Sequence, residues 1–184
     1  MSDPLLLALD DAVPRIAPDV YLAPGSVIAG DVEIGEQSSV WFNATIRGDV
    51  APIRIGRRTN IQDGAVLHVD RGTACLVGDD VTIGHGAIVH GTTVGDGVTI
   101  GMGAIVLSRS RIGDGAMVAA GAVVAEDADV PAGALVMGVP ARQKRMLTVV
   151  ERQGLIANAA RYVENAARFQ RVSDRQTAGA RDDR

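Results

Sequence analysis

Aliphatic residues recur every six positions through most of this chain. The markers run Ile16, Leu22, Ile28, Ile34, Val40 and Ile46, pause around Asp49 to Pro52, and resume at Ile55, Ile61 and Leu67. They pause again from Val69 to Leu76. They then continue as Val77, Ile83 and Val89 and, one residue short, as Val94, Ile100, Val106, Ile112, Val118, Val124, Val130 and Val136. Six residues are too few for a helix pair or a hairpin repeat. They suffice for one short strand and one corner. Three such units close a triangular coil of about 18 residues, and coils stack at roughly 4.8 Å, the spacing of paired strands. The 20 markers predict an all-β fold, a parallel β-helix of six to seven coils over 13–141, preceded by an N-terminal segment 1–12. A sandwich of short strands gives no reason for so sustained a ruler.

The rest of the composition agrees. Glycine often follows the marker, as at Gly35, Gly56, Gly84 and Gly101, and the fourth place after it is small, as at Ala87, Ala104 and Ala116. These residues and aspartate read as corner formers. Aromatics are only 3% of the chain, which suits thin stacked layers. A net charge of −4 argues against a nucleic-acid partner, which wants a basic face. Leu5-Leu6-Leu7 is too short for a signal or a membrane span, so a cytoplasmic protein with no membrane contact is expected. A single cysteine, Cys75, excludes an intrachain disulfide and reads as a small buried residue.

After the ruler comes Gly138-Val139-Pro140-Ala141-Arg142, an exit marked by proline. Thr148 and Glu151 have capping-box spacing, and Val149, Ile156, Ala160, Val163 and Ala167 form a stripe at helical spacing. A C-terminal helix packed on the prism is therefore expected over 142–172, and a disordered tail over 173–184, where the chain is polar and charged.

All three histidines lie between 68 and 90. Imidazole is the commonest protein ligand for zinc. Leu67 and Val89 head units three apart, so His68 and His90 should stack on one face of successive coils. His85 follows its own marker by two residues and leaves from a convex corner. It should miss that pair in its own chain and reach the pair of a neighbouring prism, as in a trimer with one metal at each interface. Gln62, one residue after Ile61, lies in the outward layer. Asn60 reads either as a corner former or as a polar support. Asn158 and Tyr162 share a helix face. Trp41 reads as structural.

The set Arg47-Gly48-Asp49, Asn60-x-Gln62-Asp63, His68, Gly84-His85 and His90 closely resembles the γ-class carbonic anhydrases, and the ruler resembles the hexapeptide-repeat left-handed β-helix superfamily to which they belong. The resemblance implies left-handed coils and a homotrimer. In it His68 and His90 of one subunit and His85 of the next hold Zn2+, or Fe2+ or Co2+. It further implies that Gln62 orients the metal hydroxide or the substrate, that Tyr162 reaches the metal pocket, and that Arg47 and Asp63 pair across the interface beside Asp49. The implied reaction is reversible hydration of carbon dioxide to bicarbonate by a metal-bound hydroxide. The sequence departs from the best-studied pattern where Val50 and Arg71 stand in place of glutamates used for proton shuttling, which implies weak hydration. Two other functions fit the same ruler: an acyltransferase or thioesterase acting on acyl-CoA, to which the Gly138–Arg142 exit lends some support, and a non-catalytic metal-stabilised trimeric scaffold.

Overall fold

A computed structural model describes residues 3–182 of the chain, with side chains as far as 172. The six-residue units form short strands separated by turns. One face stacks seven of them in parallel: Tyr21–Leu22, Ser39–Val40, Asn60–Ile61, Thr82–Ile83, Thr99–Ile100, Met117–Val118 and Ala134–Met137. Marker sits on marker throughout, with Val40 opposite Ile61, then Ile83, Ile100, Val118 and Val136. The molecule is a left-handed parallel β-helix of about seven coils. Every marker from Ile28 onward is at most 5% exposed. Ile16 and Leu22, in the first coil, are only partly covered. The two pauses in the ruler do not open the core, because Ile53, Val69 and Cys75 fill it there.

Such a core is a single column of aliphatic side chains, so deleting one leaves a void that its layer cannot close. Ile100→Ala is expected to cost about 2–5 kcal/mol, read as a lowered denaturation midpoint.

The glycines divide into two kinds. The residue three places after the marker takes a left-handed conformation, as at Gly86 (φ 64°), Gly103 (φ 64°) and the non-glycine corners Asn43 (φ 59°) and Asp80 (φ 55°). Glycine directly after the marker is not what turns the corner. At Gly84 an added Cβ would lie 2.7 Å from the Met102 nitrogen of the next coil, so glycine is there to let coils stack.

The three faces of the prism differ in what they present to the outside. One carries Arg15, Glu33 and Arg54 in register, followed by Leu76, Thr93, Arg111 and Asp129, a largely charged column suited to water. The second, the seven-strand face above, is overlaid by a helix, α1 (Val149–Asp182). The third presents Val27, Thr45, Val66, Ile88, Ile105 and Val123 as one continuous column. None of its six side chains is fully buried, and among the described residues α1 packs on the seven-strand face rather than on this one.

Several expected boundaries move. The prism starts before residue 13, because Leu5–Leu7 pairs in parallel with Val27–Ala29. Residues 142–146 are not helical. The chain reverses after Gly138 (φ 99°), and Arg142–Met146 returns as a strand antiparallel to Ala134–Met137. The helix begins after Thr148, as its capping box predicts. Glu151 N–H donates to Thr148 Oγ1 (3.2 Å), and Thr148 N–H donates to Glu151 Oε2 (2.8 Å). Arg145 beside Glu151 holds that carboxyl down at about 2. The helical backbone passes 172 and runs to Asp182; the last two residues of the expected tail lie outside the described residues.

The buried side of α1 also differs from the expected stripe. Ala159 and Ala166 are buried, while Val149 (60%) and Ile156 (49%) are exposed, as are Ala160 and Ala167. Aromatic packing decides the matter. Tyr162 meets Trp41 edge-on at 5.5 Å and Phe169 meets it at 5.2 Å, so the helix turns these residues inward. Trp41 is structural, 5% exposed with its Nε1–H donating to Ser39 Oγ.

Candidate metal centre

Strands Val66–His68 and Ile88–His90 pair in parallel, with His90 opposite His68. Each histidine follows a buried marker, so both leave the prism on the aliphatic face. His68 Nδ1 lies 3.0 Å from His90 Nε2. Two nitrogens on a tetrahedral zinc, at bond lengths of about 2.0–2.1 Å, stand about 3.3 Å apart. The pair fits two ligand positions of such an ion.

Each ring has an outer partner. His68 Nε2 lies 2.9 Å from Asp49 Oδ1, and Arg47 pairs with the other oxygen of that carboxylate. Partial burial opposes ionisation of Asp49. The hydrogen bond from His68 and the charge of Arg47 outweigh it and hold the carboxyl below its usual range. His90 Nδ1 lies 2.9 Å from Ser108 Oγ, which donates to Asp70 Oδ2 at 2.5 Å. Ser108 and Asp70 are absent from the sequence reading. The ruler does hold the signal, since Val89 pairs with Val106 one coil on and Ser108 is the corner just after it.

A second cluster occupies another part of the prism. His85 sits at the corner between Gly84 and Gly86, its ring 46% exposed and its Nδ1 2.7 Å from Asp63 Oδ2. Asp63 is therefore not beside Arg47 within the chain. Gln62 Oε1 accepts from the backbone N–H of His85 (3.2 Å), and Gln62 Nε2 donates to Asn60 Oδ1 (2.9 Å). Asn60 Nδ2 in turn donates to Thr82 Oγ1 (3.0 Å), as does Asn158 Nδ2 from α1 (3.2 Å). Asn60 is thus a strand residue in a buried polar chain, not a corner former. Gln62 is only 4% exposed, held between Asn60 and the His85 backbone on the face that α1 overlies. Tyr162 packs on Trp41. Burial and then the negative charge of Asp63 raise its phenol, which stays protonated.

The two clusters do not merge. Among the described residues, no three His, Cys, Asp or Glu side chains of one chain gather as a metal site. Cys75 takes no part; burial pushes its thiol up to about 12. Also among the described residues, no helix is long and apolar enough to cross a membrane.

The coil repeat alone defines a hexapeptide-repeat protein, and the family model described as bacterial transferase hexapeptide (six repeats) matches residues 14–48 and 91–126. A Methanocaldococcus jannaschii protein named "Probable carbonic anhydrase" is 49% identical over 149 residues, 81% of this chain and 94% of that protein. A Geobacillus kaustophilus protein named carbonic anhydrase is 42% identical over 167 residues, 91% of this chain and 92% of its own. A solved structure from Bacillus cereus, provisionally described as an acetyltransferase, superposes with a TM-score of 0.91 at 37% identity, covering 93% of this chain and 99% of that one. This chain belongs to the γ-carbonic-anhydrase-like family of hexapeptide-repeat proteins.

Proposed function

We propose that the protein is a metalloenzyme interconverting carbon dioxide and bicarbonate, with each metal held between two subunits of a homotrimer. His68 and His90 of one subunit and His85 of the next would supply the ligands. The carrying observation is the 3.0 Å imidazole pair on the part-exposed aliphatic face, with the third histidine on a separate corner of the same chain. The aliphatic column beside the pair supports the oligomer. A column of Val, Ile and Thr side chains facing water is costly, and a second copy is the available cover.

When bound, zinc, or iron or cobalt in its place, supplies the Lewis acidity that makes water a nucleophile near neutral pH. The residues of the chain do the rest. Asp49 orients His68. Gln62 braces the corner that carries His85, keeping one Nε2–H for a small oxygen ligand. Tyr162 stays a phenol and can donate at the rim. Arg47 of one subunit and Asp63 of the next form an ion pair that aligns the two half-sites. With Val50 and Arg71 in place of acids, proton export has no carboxylate at those positions, and turnover is slow.

A second reading, acyl-CoA chemistry, is favoured by the description of the Bacillus cereus relative and by the Gly138–Arg142 exit. A lone catalytic histidine would not require a stacked partner. Metal content measured on protein of known solution mass separates the readings. One ion per chain in a trimer, with hydration lost on chelation, is the expected result. Acyl-CoA turnover surviving in metal-stripped protein would favour the second reading. Chelation that dissociates a trimer lacking any turnover would indicate a scaffold.

A further inference from the structure

Asp70 and Ser108 have no role in the reading above, yet their contacts determine where the protons of His90 lie. Asp70 opens the short turn that Thr73 closes, and Ser108, 2% exposed, stands at the corner one coil beyond His90. An ionised carboxylate can only accept. The 2.5 Å contact therefore uses the single hydrogen of Ser108, which leaves Oγ with lone pairs alone for His90. The 2.9 Å contact to His90 Nδ1 then requires the ring to carry its hydrogen there. Asp70 Oδ2 is 3.7 Å from that nitrogen, beyond hydrogen-bond range, so the serine is the link. A neutral ring with Nδ1–H has a bare lone pair on Nε2, the nitrogen that faces His68. Asp49 imposes the mirror assignment on His68, with hydrogen on Nε2 and a lone pair on Nδ1. Two lone pairs then meet across 3.0 Å, a repulsive arrangement that a cation relieves.

We propose that Ser108 and Asp70 are positioning residues for His90. The serine hydroxyl, turned by the carboxylate, fixes the Nδ1–H tautomer and aims Nε2 at the shared site. His68 has its carboxylate in direct contact, whereas His90 reaches its own through a hydroxyl. The purpose of the pair rests on the metal-site reading, but the tautomer belongs to the metal-free protein as well.

Ring nitrogen shifts of 15N-histidine protein, recorded without metal, test the tautomer, and zinc competition titration tests its consequence. Wild-type protein should show His90 predominantly as Nδ1–H. Ser108→Ala should give a mixture and bind zinc roughly 10–100-fold more weakly, the usual value of such outer partners. Asp70→Asn changes only an exposed side chain. Its amide can donate to Ser108, freeing the hydroxyl to donate to His90, and the tautomer should shift toward Nε2–H. Ser108→Thr keeps the hydroxyl and should restore both readouts. Wild-type tautomer in both Ser108→Ala and Asp70→Asn would overturn the proposal. So would failure of Ser108→Thr to restore what Ser108→Ala loses, with circular dichroism showing both folded. If wild-type protein binds no zinc, the metal-site reading falls while the tautomer still decides this one.

Discussion

Changing His90 to alanine is expected to reduce carbon dioxide hydration to the rate of buffer. Outer partners of a ligand are worth about 10–100-fold in metal affinity, and removing a ligand itself must cost more. The prism should survive the change. The His90 ring is 25% exposed and projects away from the core, and surface substitutions of that kind usually stay within about ±0.5 kcal/mol. Its removal leaves Ser108 and Asp70 bonded to each other, and His68 Nδ1, which loses its neighbour, belongs to a ring that is 21% exposed and can turn to water. Metal content and stopped-flow hydration, measured beside a melting curve, check the result. A His90→Ala protein that keeps its metal and its rate would end the assignment of that residue.

The coils were legible because one short rule repeats. Each marker is buried for the same reason, so any few of them suffice to find the rest, and the register of His68 on His90 follows from counting alone. The pauses in the ruler were harder. Ile53 and Val69 are core residues, but they fall where the unit length changes, and no period points to them. The helix illustrates a different limit. Alanines stand on both of its sides, at 159 and 166 and again at 160 and 167, so helical spacing alone does not choose between two faces one residue apart. Trp41 and Tyr21 make the choice from another coil, by accepting Tyr162 and Phe169. That information is tertiary. Boundaries failed for a related reason: Arg142–Met146 is exposed along its whole length and mostly charged, with no alternating apolar pattern to mark a strand, and it pairs because the chain folds back on the last coil.

The polar chains around the histidines show where residue types stop being informative. Asn60, Gln62 and Thr82 are buried polar residues, and each is satisfied by a neighbour one coil away or under the helix. The sequence marks Gln62 as outward, which is correct in register, but cannot say that α1 covers that face. Ser108 and Asp70 are 38 residues apart and look like ordinary corner and loop residues until the coils are stacked.

Mixing two inactive variants should restore activity, and this is the sharpest consequence of dividing the site between chains. His90→Ala has a broken pair and an intact His85; His85→Ala has the reverse. Each alone builds three defective interfaces in a trimer. In a mixed trimer, an interface is whole when the pair comes from the His85→Ala chain and the corner from the His90→Ala chain. Every mixed trimer has one whole interface in three, so hydration by trimers that carry both chains should recover to about one third of wild type. In the proposed arrangement each interface would hold its own metal, so recovered rate and recovered metal should rise together. If one chain held its whole site, neither variant could repair the other and mixing would recover nothing. Coexpression with two affinity tags, purification through both, and parallel measurement of metal and rate give the answer. The separation visible within one chain, with no three ligands gathered among the described residues and a part-exposed aliphatic column beside the histidine pair, is what makes recovery the expected outcome.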